Sequence, residues 1–465
     1  MANKVPFKKN DAFTGTVEDI TSQGQGVVKI EGYPFFIEGV ITGELIRFRV
    51  NKAGKSFGYG RLVEILEESP DRVELTDRIG RQIGTMTLQH MSYEAQLKYK
   101  KHQVESAFQR IGLFDNVEIR PVLGMEHPWE YRNKAQIPVR NIKGQLETGF
   151  FRKNSHDLVA VENFHIQHKE IDQAILVVRD ILRKYEVPAY DEKAHRGLIR
   201  HVVVKRGHYT GQIMIVLVTN HSKFNNTEHI TREITEQIPN VVSIIQNIQK
   251  NRTNVILGKE NHVLWGKEYY EDKMLGLTFR ISANSFYQVN TPQAEVLYQT
   301  AIEAAGLTGD ETVLDAYSGI GSISLSLAKH AKDVFAMEIV PEAVEMARQN
   351  AAINNIDNAH FEAGRAEDWM ARWNEEGIQF DVAVVDPPRK GLDPEFINAL
   401  LKQKSERIVY VSCNPATLAR DARMIVDGGY ELKYVQPVDL FGQTPHVESV
   451  VLMTKSKAAE SVRTE

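Results

Sequence analysis

Leu314-Asp315-Ala316-Tyr317-Ser318-Gly319-Ile320-Gly321 closes a short apolar stretch, Val313–Asp315, with a turn built on two glycines. Glycine lets the backbone turn tightly and come close to a ligand at a helix start. Alone the pattern is weak, because such turns are common. Outward from it, Asp333–Glu338, Asp381–Asp386 and Arg407–Ser412 read as further buried strands, and Pro341 to Asn354 reads as a helix between two of them. This alternation predicts a doubly wound α/β domain, whose ligands sit at the carboxyl ends of the strands. Every motif below falls at such an end.

Glu338 ends the next strand, roughly twenty residues on, where an acid can accept both ribose hydroxyls of a nucleotide. A dinucleotide fold would share that acid. The pyrophosphate-binding pattern is not completed, however: Ile323 and Ser324 follow, with no third glycine. A nucleoside cofactor without a pyrophosphate fits better. Ala366-Glu367-Asp368 is placed to edge an adenine; equally, it reads as a solvated acidic helix start.

Asp386-Pro387-Pro388-Arg389 closes another strand. Two prolines fix an extended turn and leave no amide donors. Arg389 stands where amino-methyltransferases place an aromatic, which favours a base with carbonyls over one with an amine. Cys413 leaves the apolar strand Ile408-Val409-Tyr410-Val411 within Ser412-Cys413-Asn414-Pro415. Most lone cysteines are inert packing residues; this one lies at a strand's exit before a proline turn. Glu448 enters the apolar strand Ser449-Val450-Val451-Leu452, where an acid is costly unless paired or functional. A thiol, a carboxylate base and a sulfonium cofactor suffice to methylate carbon 5 of uracil. A thiolate of lowered pKa adds to carbon 6, carbon 5 takes the methyl group, and the base removes the carbon 5 proton.

The rest of the chain divides into two further parts. Phe13–Ile20, Gly26–Ile30, Pro34–Glu38, Glu44–Asn51 and Gly58–Leu66 predict five short strands, a small barrel of the OB type over residues 1-66. Lys52, Lys55, Phe57, Tyr59 and Arg61 interleave bases with aromatics, as single-strand binders do; the alternative is a barrel that only packs on its neighbour. A helix is expected over Ser92–Arg110, able to pack on the catalytic domain. Mixed α+β structure follows within 67-278, with strands His201–Lys205 and Gln212–Val218 and a helix Glu228–Glu236. The methyltransferase-like domain is expected over 279-458, and the polar tail after Thr454 is expected to fray.

Apolar residues make up 42% and charged residues 25% of the 465 residues, ordinary for a chain that buries real cores. The net charge of −5 argues against a wholesale basic nucleic-acid binder. Local basic stripes remain, in the first sixty residues and from Lys98 to Lys153. No apolar run spans a bilayer, and Met1 to Asp11 lacks the apolar core of a signal peptide, so a cytoplasmic protein is the simplest reading. The single cysteine excludes an internal disulfide and any metal or iron–sulfur site needing several thiolates from this chain.

These motifs together resemble the RNA uracil-5 methyltransferase family over nearly the full length, and most resemble its 23S ribosomal RNA enzymes. They are Ser285-Phe286-Tyr287-Gln288-Val289-Asn290, the Asp315–Gly321 turn, Asp386-Pro387-Pro388-Arg389, Ser412-Cys413-Asn414-Pro415 and His446-Val447-Glu448. The resemblance implies S-adenosylmethionine as cofactor, contacted by Gln288, Tyr317, Gly319, Gly321, Glu338 and Asp386. It implies Cys413 as nucleophile and Glu448 as base, with Phe286 and Gln288 near the target uracil and Arg389 beside the RNA. The barrel resembles a TRAM domain, and Tyr131-Arg132-Asn133-Lys134 matches the family's central RNA contact, through Arg132 and Lys134. Several relatives carry a four-cysteine iron–sulfur cluster in the central domain, with two of the cysteines shortly before a Leu-Gln-His. Here Ile83 and Met86 hold those places before Leu88-Gln89-His90, so no cluster and no metal is expected, as in the clusterless branch of the family. Tyr317-Ser318 replaces a frequent tyrosine–cysteine pair.

The expected substrate is therefore 23S ribosomal RNA or its assembly intermediate. The alternatives are a transfer-RNA uracil-5 methyltransferase, against which the barrel argues because the bacterial transfer-RNA type lacks one, and a non-catalytic RNA-binding assembly factor. A cytosine-5 enzyme would share the thiolate chemistry but surround its cysteine differently.

Overall fold

The computed structural model describes residues 7–456. Most of the segment weighed for a leader, and the polar tail beyond Ser456, lie outside the described residues; Lys455 belongs to the last strand.

The first strand is broken where one continuous strand, Phe13–Ile20, was expected. Ala12–Thr16 pairs with Leu45–Ala53, and Asp19–Ile20 pairs with Gln25–Ile30. The bend lets one chain segment border both edges of the sheet and close it into a barrel. Tyr33–Glu38 and Gly58–Glu67 complete it and run parallel to each other. Inside lie Val28, Phe35, Ile37, Ile46 and Phe48. Gly26 and Gly60 keep closure possible: a Cβ would stand 2.3 Å from Val40 and 2.6 Å from Phe48.

Ser92 caps the helix Tyr93–Arg110 by accepting from Ala95 N. Its apolar side, Val104, Ala107 and Phe108, enters the same core as Leu418 and Ala422 of the helix Pro415–Asp427. The central sheet has seven strands, in the order Glu260–Gly266, Val241–Ile248, Ile213–Thr219, Ile199–Arg206, Lys134–Ile142, Gln145–Phe151, Leu158–Ala160. The helices Lys169–Lys184 and Thr227–Gln237 cover one face. The other face, Met214, Val216 and Ile245, packs on the hairpin Tyr269–Met274 with Leu277–Ser282, in one core with the catalytic domain. The expected boundary at 278/279 thus falls inside a strand of this hairpin.

Ile83 and Met86 are buried with Val161, Phe164 and Ile166 in a small apolar core. Asp77 caps the adjoining helix Arg78–Ile83 and exchanges hydrogen bonds with Gln89. Hydrophobic packing and a helix cap thus surround Ile83 and Met86.

The catalytic sheet runs Ala359–Ala363, Asp333–Glu338, Thr312–Ala316, Val382–Val385, Arg407–Ser412, Glu448–Lys455, Tyr430–Val438. Six strands run in one direction, and only Glu448–Lys455 runs against them, antiparallel to both of its neighbours. Alternate residues, Val313 and Leu314 for instance, enter opposite helix layers, so both faces are apolar. Strand order reverses between Thr312–Ala316 and Val382–Val385, which opens a crevice at their carboxyl ends.

Candidate active site

Five strand ends converge on one cleft of about 610 Å³. Tyr317 follows the first strand, Glu338 ends its neighbour, and Asp386 and Cys413 follow the next two. The strand Glu448–Lys455 runs backwards, so its first residue, Glu448, lies where the others end. Phe286 and Gln288 enter from the loop ahead of the helix Thr291–Ala305, and Arg389 completes the wall.

Local sequence fixes each group. Asn414 caps the helix Pro415–Asp427 and donates to the Arg389 carbonyl at 3.0 Å. The cap holds Cys413 just ahead of a rigid helix start and ties it to the Pro-Pro-Arg turn. Tyr317 adopts φ +71, and both Tyr317 N and Ser318 N donate to the Met337 carbonyl. A left-handed tyrosine is strained backbone of a kind that clusters at functional sites. Gly319, at φ +57, donates its N–H to Glu338 Oε2 at 3.1 Å, and Val340 N donates to Oε1 at 3.0 Å. Each Glu338 oxygen keeps a lone pair for a further donor. Gly321 stands behind the wall: a Cβ there would meet the Phe361 ring at 3.2 Å. Glu367 and Asp368 do not line the cleft, though the Glu367 charge acts on Tyr317.

The cleft is lined by buried acids. Burial pushes the Asp386 carboxyl up to about 7. Burial also lifts Asp315 to about 7, against the Ser324 hydroxyl and helped by Asp386 and Glu338. Glu448, 5% exposed, is raised to about 8 by burial and then by Asp386, with Arg389 pulling the other way. Cys413 does not have the lowered pKa expected from its chemistry. Burial, Glu448 and Asp386 push it up to about 11, against Arg389 and a main-chain hydrogen bond. Asp315 Oδ1 and Ser318 Oγ are buried at the cleft with no partner. Two orphaned polar atoms, a cluster of reluctant acids and the solvent-facing side chain of Ile339, 66% exposed beside Glu338, suit a cationic nucleoside with a flat aromatic base.

Arg132 and Lys134 do not line this cleft but flank it. Lys134 Nζ stands 6.0 Å from the centre of the Phe286 ring. Burial and Arg132 lower Lys134 to about 8. Burial, Arg389, Lys100 and Arg132 hold His446 down at about 4. Asn133, between the two cations, faces inward: its amide donates to the Gln288 carbonyl at 2.9 Å and to Thr291 Oγ1 at 3.0 Å. Tyr298, Ile339 and Phe441 also line the cleft, and Gln288 hydrogen-bonds Tyr298. Sequence reasoning missed these three. Tyr298 lies mid-helix among apolar residues and carries no local signal; the apolar pair Ile339-Val340 directly after the strand-end acid was a signal that could have been read.

The family model described as tRNA (uracil-5-)-methyltransferase matches residues 92–456. The chain belongs to this family of RNA uracil-5 methyltransferases. Its similarity to an RNA methyltransferase of Enterococcus faecalis, itself uncharacterized, is 52% identity over 97% of this chain and 99% of the relative. A second uncharacterized RNA methyltransferase, from Lactiplantibacillus plantarum, is 50% identical over 98% of this chain and 100% of its own. Among solved structures, the Pyrococcus abyssi tRNA (uracil-54, C5)-methyltransferase in complex with S-adenosyl-L-homocysteine superposes with a TM-score of 0.75 and 28% identity, over 95% of this chain and 99% of that one. That coverage takes in most of the barrel of this methyltransferase. A barrel therefore does not by itself exclude a transfer-RNA enzyme. Among the described residues no helix is long and apolar enough to cross a membrane, and no group of three or more His, Cys, Asp or Glu is placed to hold a metal ion.

Proposed function

We propose that this chain transfers a methyl group from S-adenosylmethionine to carbon 5 of uridine in 23S ribosomal RNA, through a covalent bond from Cys413 to carbon 6, in the cytoplasm. The observation that carries the chemistry is the convergence of Cys413, Glu448 and Asp386 in one cleft with Glu338 and the Gly319 turn.

Glu338, Gly319, Tyr317, Gln288 and Asp386 would hold the cofactor, with Gly321 shaping the turn behind them. The bound sulfonium supplies the methyl group. Cys413, as thiolate, adds to carbon 6, and the electron pair of the 5,6 double bond moves toward carbon 4 and its oxygen. Carbon 5 then forms its bond to the methyl carbon as the methyl–sulfur bond breaks, its electron pair staying on sulfur as a neutral thioether. Glu448 takes the proton from carbon 5, the double bond re-forms, and the Cys413 sulfur leaves as thiolate. A base near 8 is well matched to that proton transfer. Burial first, then Glu448 and Asp386, disfavour the Cys413 thiolate in the free cleft; a cation bound beside the two carboxyls would offset their share. Phe286, 64% exposed, offers a stacking face to the uracil, and Arg389, Arg132 and Lys134 offer cations to the flanking RNA.

The choice of 23S RNA rests on the motif resemblance. The transfer-RNA reading is favoured by the likeness to the Pyrococcus abyssi enzyme. Mapping 5-methyluridine in ribosomal and transfer RNA from a deletion strain decides between them: loss confined to 23S RNA supports the proposal, and loss confined to transfer RNA overturns it.

A further inference from the structure

The segment 439–447 joins the strands Tyr430–Val438 and Glu448–Lys455, and its ends meet where Val438 pairs with Glu448. It carries Phe441 and His446 into the cleft and delivers Glu448. Many of its hydrogen bonds are made to residues outside the catalytic domain. Lys100 Nζ donates to Asp439 Oδ1 at 2.5 Å and to the Phe441 carbonyl at 3.0 Å. Gln96 and Gln443 exchange two bonds, Nε2 to Oε1 and main-chain N to Oε1, each 2.9 Å. Gln103 Nε2 donates to the Pro445 carbonyl at 3.0 Å. Gln96, Lys100 and Gln103 are spaced four and three apart, one stripe of the helix Tyr93–Arg110. Tyr93 adds its hydroxyl to Asp439 Oδ2 at 2.7 Å, and Tyr131 donates to the Gly442 carbonyl at 2.9 Å.

Both members of the Lys100–Asp439 pair are fully buried. A buried ion pair is weak evidence for stability, because desolvation offsets attraction. What such a pair does provide is a single geometry. Gln443 sits at φ +68, a conformation that glutamine rarely adopts and that its neighbours must impose. The same helix also touches the barrel, where Tyr99 donates to the Thr21 carbonyl at 2.7 Å.

We infer that Gln96, Lys100 and Gln103 are positioning residues that hold Glu448 in place for proton removal, from outside the catalytic domain. The inference rests on the reading of Glu448 as the base. Lys100 touches neither cofactor nor uracil; it acts through Asp439 and the segment that Asp439 opens.

The test uses the full-length protein with S-adenosylmethionine and RNA stripped from a deletion strain, in the class that the wild type methylates. Lys100→Met and the milder Gln103→Ala are compared with the wild type and with Glu448→Gln. In both positioning variants, multiple turnover should fall about tenfold or more, the scale of a small misplacement. Single-turnover methylation should hold within about threefold, and a denaturant-resistant protein–RNA adduct should accumulate. Should Lys100→Met fail to fold, Gln103→Ala alone decides. Single and multiple turnover falling together, or neither falling, overturns the inference. If Glu448→Gln itself accumulates no adduct, the assignment of the base fails first, and the positioning claim falls with it for that separate reason.

Discussion

Cys413 and Glu448 leave adjacent antiparallel strands side by side: Ser412 pairs with Ser449, and the two residues are the next step in that register. Nucleophile and base thus hang from one rigid ladder. Their charges are coupled, and Glu448 raises the pKa of Cys413. The free enzyme keeps its thiol protonated, near 11, until a ligand changes the cleft.

Alkylation reports this directly, because Cys413 is the only cysteine in the chain. Iodoacetamide should modify the native protein at pH 8 at least about tenfold more slowly than an unhindered thiol, whose pKa is ~8.5. The rate should still be climbing at pH 10. A plateau below pH 8 would show an activated thiolate in the free enzyme and contradict the account.

Cofactor binding should depend on pH through Asp386 and Asp315, both near 7 in the free cleft. A cation binds better as they ionise. The affinity for S-adenosylmethionine should rise from pH 6 to pH 8 by up to about tenfold per carboxyl. S-adenosylhomocysteine lacks the sulfonium charge and should respond less. Equal slopes by calorimetry would remove these carboxyls from the sulfonium. Stability carries the opposite sign. Folding raises Asp386 from about 3.9 in the unfolded chain, so the native state holds an extra proton between the two values, and stability is lost as pH climbs through about 7. Asp386→Asn should therefore raise the melting temperature at pH 8 and leave it nearly unchanged at pH 4, while cofactor binding is lost.

The doubly wound domain was legible because both of its signals are local: glycine turns at strand ends and apolar strands of parallel-sheet type. Cys413, Glu448, Asp386 and Glu338 were legible for the same reason, since each is a polar residue at the mouth of an apolar strand. The five barrel strands were readable in alternation, but the break after Thr16 was not, because closure depends on which distant edges the segment meets. The Lys100–Asp439 pair was hidden too. Its partners lie 339 residues apart, and a helix rich in Lys and Gln reads as a solvated face. The raised pKa of Cys413 belongs to the assembled cleft, and nothing near it in the chain encodes it.

The small core around Ile83 and Met86 carries a prediction of its own. Met86 is fully buried among Ile83, Phe164 and Ile166. Met86→Ala should destabilise the protein by about 2–4 kcal/mol. Protein purified in air and treated with an iron chelator should keep full activity. Activity that tracks iron content would refute this reading.

The barrel presents Phe57 and Tyr59 to solvent in one aromatic cluster with Phe36, beside exposed Lys52, Lys55 and Arg61. Replacing Phe57 and Tyr59 by Ala should weaken RNA binding by about 1–3 kcal/mol per stacked base. Replacing Lys52 and Arg61 by Ala should flatten the salt dependence of binding by roughly one unit of log–log slope per lost phosphate contact. Cofactor affinity should not change in either variant. Unaltered RNA binding would make the barrel a packing element.

The most direct measurement is the fate of the covalent adduct. Glu448→Gln keeps the shape of the side chain but has no useful basicity. Mixed with S-adenosylmethionine and substrate RNA, it should methylate once and stall, giving a protein–RNA band that survives denaturant. The band should vanish in the double variant with Cys413→Ala. RNA carrying 5-fluorouridine should trap the wild type in the same way, because fluorine does not leave as a proton does. A Cys413→Ala variant that still methylates, or a wild type that turns over normally on 5-fluorouridine RNA, would contradict the thiolate mechanism.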